Sequence, residues 1–329
     1  MAGAATKAAA ATRRAAAAVD VAAAAAADAS INVKPRIAIT EGDPAVIGPE
    51  IARRAAEDAR VLDVCEPVLY GAAAGARFEP GVLSAAAGAA AYDAIVRATA
   101  DAQRGAVGAV ATAPINKEAL RLAGFPWNGH TDLLAHLTGA ADVAMMFFSE
   151  ELRVVLATVH VPLADVPKLL TQSLLEQTIA LTARELPRFG FANPKIGVAG
   201  LNPHAGEHGL FGREEETAMA PAIACCRAKG IDVSGPFPAD TLFVRARKGE
   251  FDAVVACYHD QGLIPVKLVA FGRAVNVTLG LPIIRTSVDH GTAFDIAGKG
   301  VADADSMIAA VLLAATLVRG ASLSGPPTR

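Results

Sequence analysis

Three histidines stand where apolar runs of the chain give way to polar loops. The richest of these places is Tyr258-His-Asp-Gln-Gly-Leu-Ile-Pro-Val-Lys267, which follows the apolar run Phe251-Asp-Ala-Val-Val-Ala-Cys257. His160 follows Val154–Thr158, and His204 follows Lys195–Ala199 inside the glycine-rich stretch Gly200 to Gly212. Three imidazoles, with Asp240 or Asp260 in or near their first ring of neighbours, suit Zn²⁺ or a similar divalent ion. Separations of 44 and 55 residues match no local zinc motif, so only the shared position past a strand end supports a metal. The competing reading is three structural histidines. His136, on a helix face, and His208, in the glycine-rich loop, are expected to face solvent.

A second group is Gly129-His-Thr-Asp132, just before the apolar-periodic run Leu133-Leu-Ala-His-Leu137. Thr131 or Asp132 can cap the helix that this run predicts. Equally, helix N–H groups with the side chains of His130 and Thr131 make a seat for an anion. The spacing leaves both readings open.

The elements that must carry these residues alternate. Strands are expected at 36–39, 67–70, 109–112, 143–148, 154–158, 195–199 and 251–257. Helices are expected from Pro49, over 84–103, 174–187 and 214–229, and over 306–319 at the end. That alternation predicts an α/β fold with a helix-covered sheet, and a run such as Phe251 to Cys257 reads as a buried parallel strand. Ligands of such sheets collect at the carboxyl ends of strands. No G-x-G-x-x-G follows a strand and no Walker lysine motif is present, which disfavours an ordinary Rossmann or P-loop reading.

Composition narrows the class. Among 329 residues, 53% are hydrophobic and only 5% aromatic, which suits a core of Ala, Val, Leu and Ile. A net charge of −3 argues against a nucleic-acid binder. No apolar run reaches membrane-spanning length. Cys65, Cys225, Cys226 and Cys257 lack metal-type pairing and read as buried thiols of a reducing, cytoplasmic setting. Residues 1–33, mostly alanine, read as a frayed tail.

The chain resembles the 4-hydroxythreonine-4-phosphate dehydrogenase family of pyridoxal phosphate biosynthesis. The resemblance rests on Gly42-Asp-Pro, Ile47-Gly-Pro-Glu-Ile51, Ala113-Pro-Ile-Asn-Lys117, Gly129-His-Thr, Asn202-Pro-His-Ala-Gly-Glu207, Gly235 to Phe243, Tyr258-His-Asp-Gln-Gly262 and Val275 to Gly300. It implies two α/β/α domains flanking a cleft, similar to isocitrate and isopropylmalate dehydrogenases. Residues 34–128 plus 286–329 would form the cofactor side, and 129–285 the metal, substrate and dimerisation side. It also implies a homodimer with the active site at the subunit interface.

By resemblance, His160, His204 and His259 match divalent-metal ligands (zinc, magnesium or cobalt), one of them from the neighbouring subunit. His130, Thr131, Lys267, Asn276 and Arg285 match substrate-binding positions. Asp240, Asp260 and Lys267 are the candidates for catalysis. Asp289, His290, Gly291 and Asp295 resemble an adenosine-binding loop, where an acid at Asp295 bonds ribose hydroxyls and repels a 2′-phosphate, favouring NAD over NADP.

The implied activity is metal-assisted oxidation of 4-phosphooxy-L-threonine to a β-keto acid that loses CO₂. The same phosphate residues serve a paralogue acting on D-threonate or D-erythronate 4-phosphate. A cis-dihydrodiol dehydrogenase and an inactive binding protein are the remaining alternatives. Glu41 and Val46 stand where the family has Pro and Gly, and the chain is short after Tyr70. Those departures put the loop over the cleft and the cofactor side in question.

Overall fold

In the computed structural model, which describes residues 34–320, the apolar runs pair into a single sheet. Its strands are β1 (Arg36–Thr40), β2 (Glu66–Tyr70), β3 (Ala109–Thr112), β4 (Ala144–Phe148), β5 (Arg153–Leu156), β6 (Ile196–Ala199), β7 (Val233–Phe237), β8 (Ala253–Ala256), β9 (Val275–Leu279) and β10 (Ile284–Ser287). Between them run α1 (Gly48–Glu57), α2 (Ala59–Val64), α3 (Ala85–Gln103), α4 (Lys117–Leu122), α5 (His130–Thr138), α6 (Val166–Leu169), α7 (Gln172–Glu185), α8 (Ala220–Ala228), α9 (Ala239–Arg247), α10 (His259–Ala270) and α11 (Asp305–Val318). Among the described residues, 36–320 form one compact unit. The expected alanine-rich tail lies outside the described residues.

The strand order is β2-β1-β3-β10-β9-β4-β5-β8-β6-β7. The two ends are parallel blocks, β2-β1-β3-β10 and β5-β8-β6-β7. Between them the sheet is antiparallel: β9 opposes both β10 and β4, and β4 opposes β5. The sheet is therefore mixed rather than purely parallel. Short connections decide this, because residues 149–152 and 280–283 are too few for a crossover. Gly280 permits the second turn. Its φ is +87°, and an added Cβ would lie 2.0 Å from the Asp142 carbonyl oxygen.

Alternation along β1 feeds two cores at one end of the sheet. Ile37 and Ile39 join α1 and α11 on one face, while Ala38 joins α3 and α5 on the other. At the other end, Val155 and Val198 pack with α7 and α8, and Val154 and Ala199 with α9 and α10. Each end is thus a helix–sheet–helix sandwich, and the sheet runs through both.

Strand β7 was not legible, because Gly235 and Pro236 lie inside it. It is an edge strand, where a missing N–H costs no ladder bond. The expected helix over 214–229 divides into a wide turn at Glu215–Met219 and α8. Cys65, Cys226 and Cys257 are buried as expected. Cys225 is only half-buried, and its thiol donates to Glu176 Oε2 at 3.0 Å.

Candidate active site

Arg285, near the start of β10, points across the sheet face and is 2% exposed. Its Nη2 and Nε donate to Thr112 Oγ1 at 2.8 and 3.2 Å, and its Nη1 to Thr278 Oγ1 at 3.0 Å. Among the described residues no carboxylate pairs with it. Burial pushes its pKa down to about 9. A buried cation held only by hydroxyls is a costly arrangement that a bound anion relieves.

His130 opens α5 beside it. Desolvation, followed by the charge of Arg285, holds the imidazole well below the usual histidine range. Nε2 of His130 and Oδ1 of Asn276 are buried without a hydrogen-bond partner in the described structure. Thr131 and Asp132 lie inside the helix rather than capping it. The cap is Gly129, which has no side chain to offer, and Asp132 instead accepts from the Asn128 N–H. The first turn of α5 is therefore open toward the cleft.

These residues line a cleft of about 490 Å³. Its wall also includes Lys117, His160, His290 and Gly291, with apolar Val143, Met145, Leu156 and Leu174. Strand β9 contributes Asn276, β10 leads to His290, and β5 leads to His160. The middle of the sheet, where its direction reverses, is thus the floor of the site.

His160 and His259 approach each other, with ring centroids 5.6 Å apart. Partial desolvation, then the charges of Lys117 and His259, lower the pKa of His160, which favours the neutral imidazole a metal needs. Asp260 Oδ1 lies 2.7 Å from His259 Nδ1, which leaves Nε2 as the free ring nitrogen. His204 does not join this pair. It sits at φ +52° in a loop where Ala205, Glu207 and His208 are also left-handed, and its ring meets Phe211 at 6.2 Å. No group of three His, Cys, Asp or Glu within reach of one ion occurs among the described residues.

The remaining candidates lie outside the cleft wall. Asp240 is exposed in the first turn of α9. Lys267, on α10, donates to the Asp289 carbonyl at 3.2 Å. The Asp289 carboxylate accepts from the Ser306 hydroxyl at 2.9 Å, which ties the loop after β10 to the start of α11. Asp295 is exposed on the short turn Phe294–Ile296. His136 and His208 are exposed as expected, and the His136 ring packs on Trp127 at 4.5 Å.

The family profile described as "Pyridoxal phosphate biosynthetic protein PdxA" matches residues 5–314. The chain belongs to this family. It is 48% identical to a 4-hydroxythreonine-4-phosphate dehydrogenase of Geobacter metallireducens, over 88% of this chain and 97% of that one. It is 44% identical to a D-threonate 4-phosphate dehydrogenase of Cupriavidus necator, over 86% and 97% respectively. A crystal structure of 4-hydroxythreonine-4-phosphate dehydrogenase from Klebsiella pneumoniae is 45% identical, with a TM-score of 0.81 over 88% of this chain and 99% of that one. The α/β fold with two helix-covered halves is thus the family's fold.

Within that frame the departures at Glu41 and Val46 have physical accounts. Glu41 is 8% exposed and pairs with Arg53 Nε at 2.8 Å. Gly71 leaves room for it: a Cβ there would lie 1.9 Å from Glu41 Oε2. Val46 is buried without positive φ, so its loop needs no glycine at that position. It faces a second groove lined by Pro44, Pro49, Arg53, Gly298 and Gly300, which joins the first loop to the 289–300 loop. After Tyr70 the chain runs irregularly to Ala85. Lys117 closes the motif Ala113-Pro-Ile-Asn-Lys117, which by itself assigns it no role. Its position at the first turn of a helix after β3 was the available signal.

Proposed function

We propose that the chain is a nicotinamide- and divalent-metal-dependent dehydrogenase that oxidises 4-phosphooxy-L-threonine to 2-amino-3-oxo-4-phosphooxybutanoate. That product then loses CO₂ to give 3-amino-2-oxopropyl phosphate. The observation that carries the reading is Arg285, a buried guanidinium with two threonine hydroxyls and no carboxylate, beside the unpartnered Nε2 of His130. With Thr131, Asn276 and the open first turn of α5, they make donors for a phosphate dianion.

His160 and His259 are the metal ligands that one subunit offers, and the imidazole donors suit zinc or cobalt better than magnesium. When bound, the cation acidifies the substrate's secondary hydroxyl and the dinucleotide takes up the hydride. Asp260 holds the His259 ring in orientation, and Asp240 or Asp260 accepts the hydroxyl proton. His204 and Lys267 act from the partner subunit in a homodimer. Helix α10 supports this, because Ile264 and Leu268 are 65 and 84% exposed at the i, i+4 spacing of one face, and Phe271, which caps the helix, is 78% exposed. Residues 34–128 with 286–320 form the cofactor side, and 129–285 the substrate side; residues 321–329, expected on the cofactor side, lie outside the described residues. The exposed carboxylate of Asp295 favours NAD over NADP.

A second reading, oxidation of D-threonate 4-phosphate, is favoured by the Cupriavidus necator relative. Both substrates present the same phosphate to Arg285. NADH absorbance with each acid on the metal-loaded protein separates them. Turnover of the hydroxythreonine ester supports the first reading and turnover of the threonate ester alone selects the second. No turnover of either, with metal bound, rejects both.

A further inference from the structure

We infer that Lys117 is the residue that binds the substrate's carboxylate, the group later lost as CO₂, and so selects phosphorylated hydroxy acids over simple phosphate esters. The inference rests on the proposed substrate class and extends it to a residue for which no role has been given.

Four observations carry it. First, Lys117 lines the same cleft as Arg285, His130 and His160, so one small molecule can touch all of them. Second, it opens helix α4, where the Asn116 side chain caps the Ala119 N–H. A cation in a first turn opposes the helix dipole, so local helix stability does not favour a lysine there. Third, no ion pair or hydrogen bond holds its ammonium among the described residues, although Glu118 is its neighbour. Its side chain remains available to a ligand.

The fourth observation is the placement of the cations. The cleft wall carries the cations Lys117 and Arg285 against the single carboxylate of Asp132, which is already engaged by the Asn128 N–H. A phosphate ester brings about −1.5 to −2 charges at neutral pH. Arg285, with the donors of His130, Thr131 and Asn276, is sufficient for it. Lys117 is not among those donors; it stands on the histidine side of the cleft, where its field reaches His160. A carboxylate on the carbon chain beyond the reacting hydroxyl is the group that matches it. The ammonium contributes three donors on a flexible stem, which serves a carboxylate carried on chains of either stereochemistry. That accounts for one site shared by amino-acid and sugar-acid substrates.

Isothermal titration of the full-length protein with three probes tests this: 4-phosphooxy-L-threonine, D-threonate 4-phosphate and glycerol 3-phosphate, which has the phosphate and no carboxylate. Lys117→Met is expected to weaken the acid that the wild type binds by about ten- to a hundredfold, the usual range for one charged hydrogen bond. It should leave glycerol 3-phosphate within about twofold, and Lys117→Arg should restore much of the acid binding. An equal loss for all three probes, or no loss for any, overturns the assignment. If the wild type binds neither acid better than glycerol 3-phosphate, the proposed substrate class fails along with it.

Discussion

Arg285 Nη2 donates to Thr112 Oγ1 at 2.8 Å, joining β10 to β3 through a side-chain bond between neighbouring parallel strands. The threonine orients the guanidinium without neutralising it. A folded protein keeps such a cation where an anion arrives from outside, because a permanent partner would compete with the ligand.

From that relationship follows an unusual pair of outcomes for Arg285→Met. Inorganic phosphate or a phosphate ester should raise the Tm of the wild type and not of the variant. The ligand-free variant should be as stable as the wild type or more so by about 1 kcal/mol, because an uncompensated buried charge has been removed. Thermal unfolding with and without phosphate measures both. A large loss of ligand-free stability would show that the guanidinium is structural.

His130 makes stability depend on pH. Its folded pKa lies well below the ordinary value of 6.5. Below pH 6.5 the unfolded chain therefore gains a proton that the folded chain does not, and stability falls as pH falls through that point. His130→Gln, which keeps a polar side chain without the titration, should flatten the decline in Tm between about pH 7 and 5. Parallel curves for the two proteins would sink this account.

The contact between Asp260 and His259 Nδ1 predicts a graded series for metal binding. His259→Ala should abolish stoichiometric Co²⁺ or Zn²⁺ binding. Asp260→Asn should weaken it by about ten- to a hundredfold, as other outer-shell partners do. Equilibrium dialysis of the two variants decides, and unchanged affinity in His259→Ala removes that residue from the ligand set.

The apolar face of α10 should be covered in solution. Leu268→Glu combined with Phe271→Ser is expected to convert a dimer into a monomer by sedimentation, with loss of activity and retention of the far-UV spectrum. If the wild type itself sediments as a monomer and is active, the third ligand must come from within one chain.

The sequence alone was enough to place the strands whose ends carry His160, His204 and His259, because apolar runs broken by Gly and Pro mark strand ends locally. It also marked His130 as one side of an anion seat at a helix start, and located Arg285 and Asn276 only through resemblance, since nothing in their spacing reveals that one cleft holds all three. Tertiary structure decided the rest. Hydrogen bonding between non-consecutive strands set β10 beside β3 and buried Arg285 against Thr112, a pairing of residues 173 positions apart. It brought His160 and His259 together and left His204 on its left-handed loop, a backbone state that residue types other than glycine do not announce. It gave Lys117 a place on the cleft wall. Local pattern dictates where a strand ends. Which ends meet, and which charges are left without a partner, depends on packing between elements far apart in the chain.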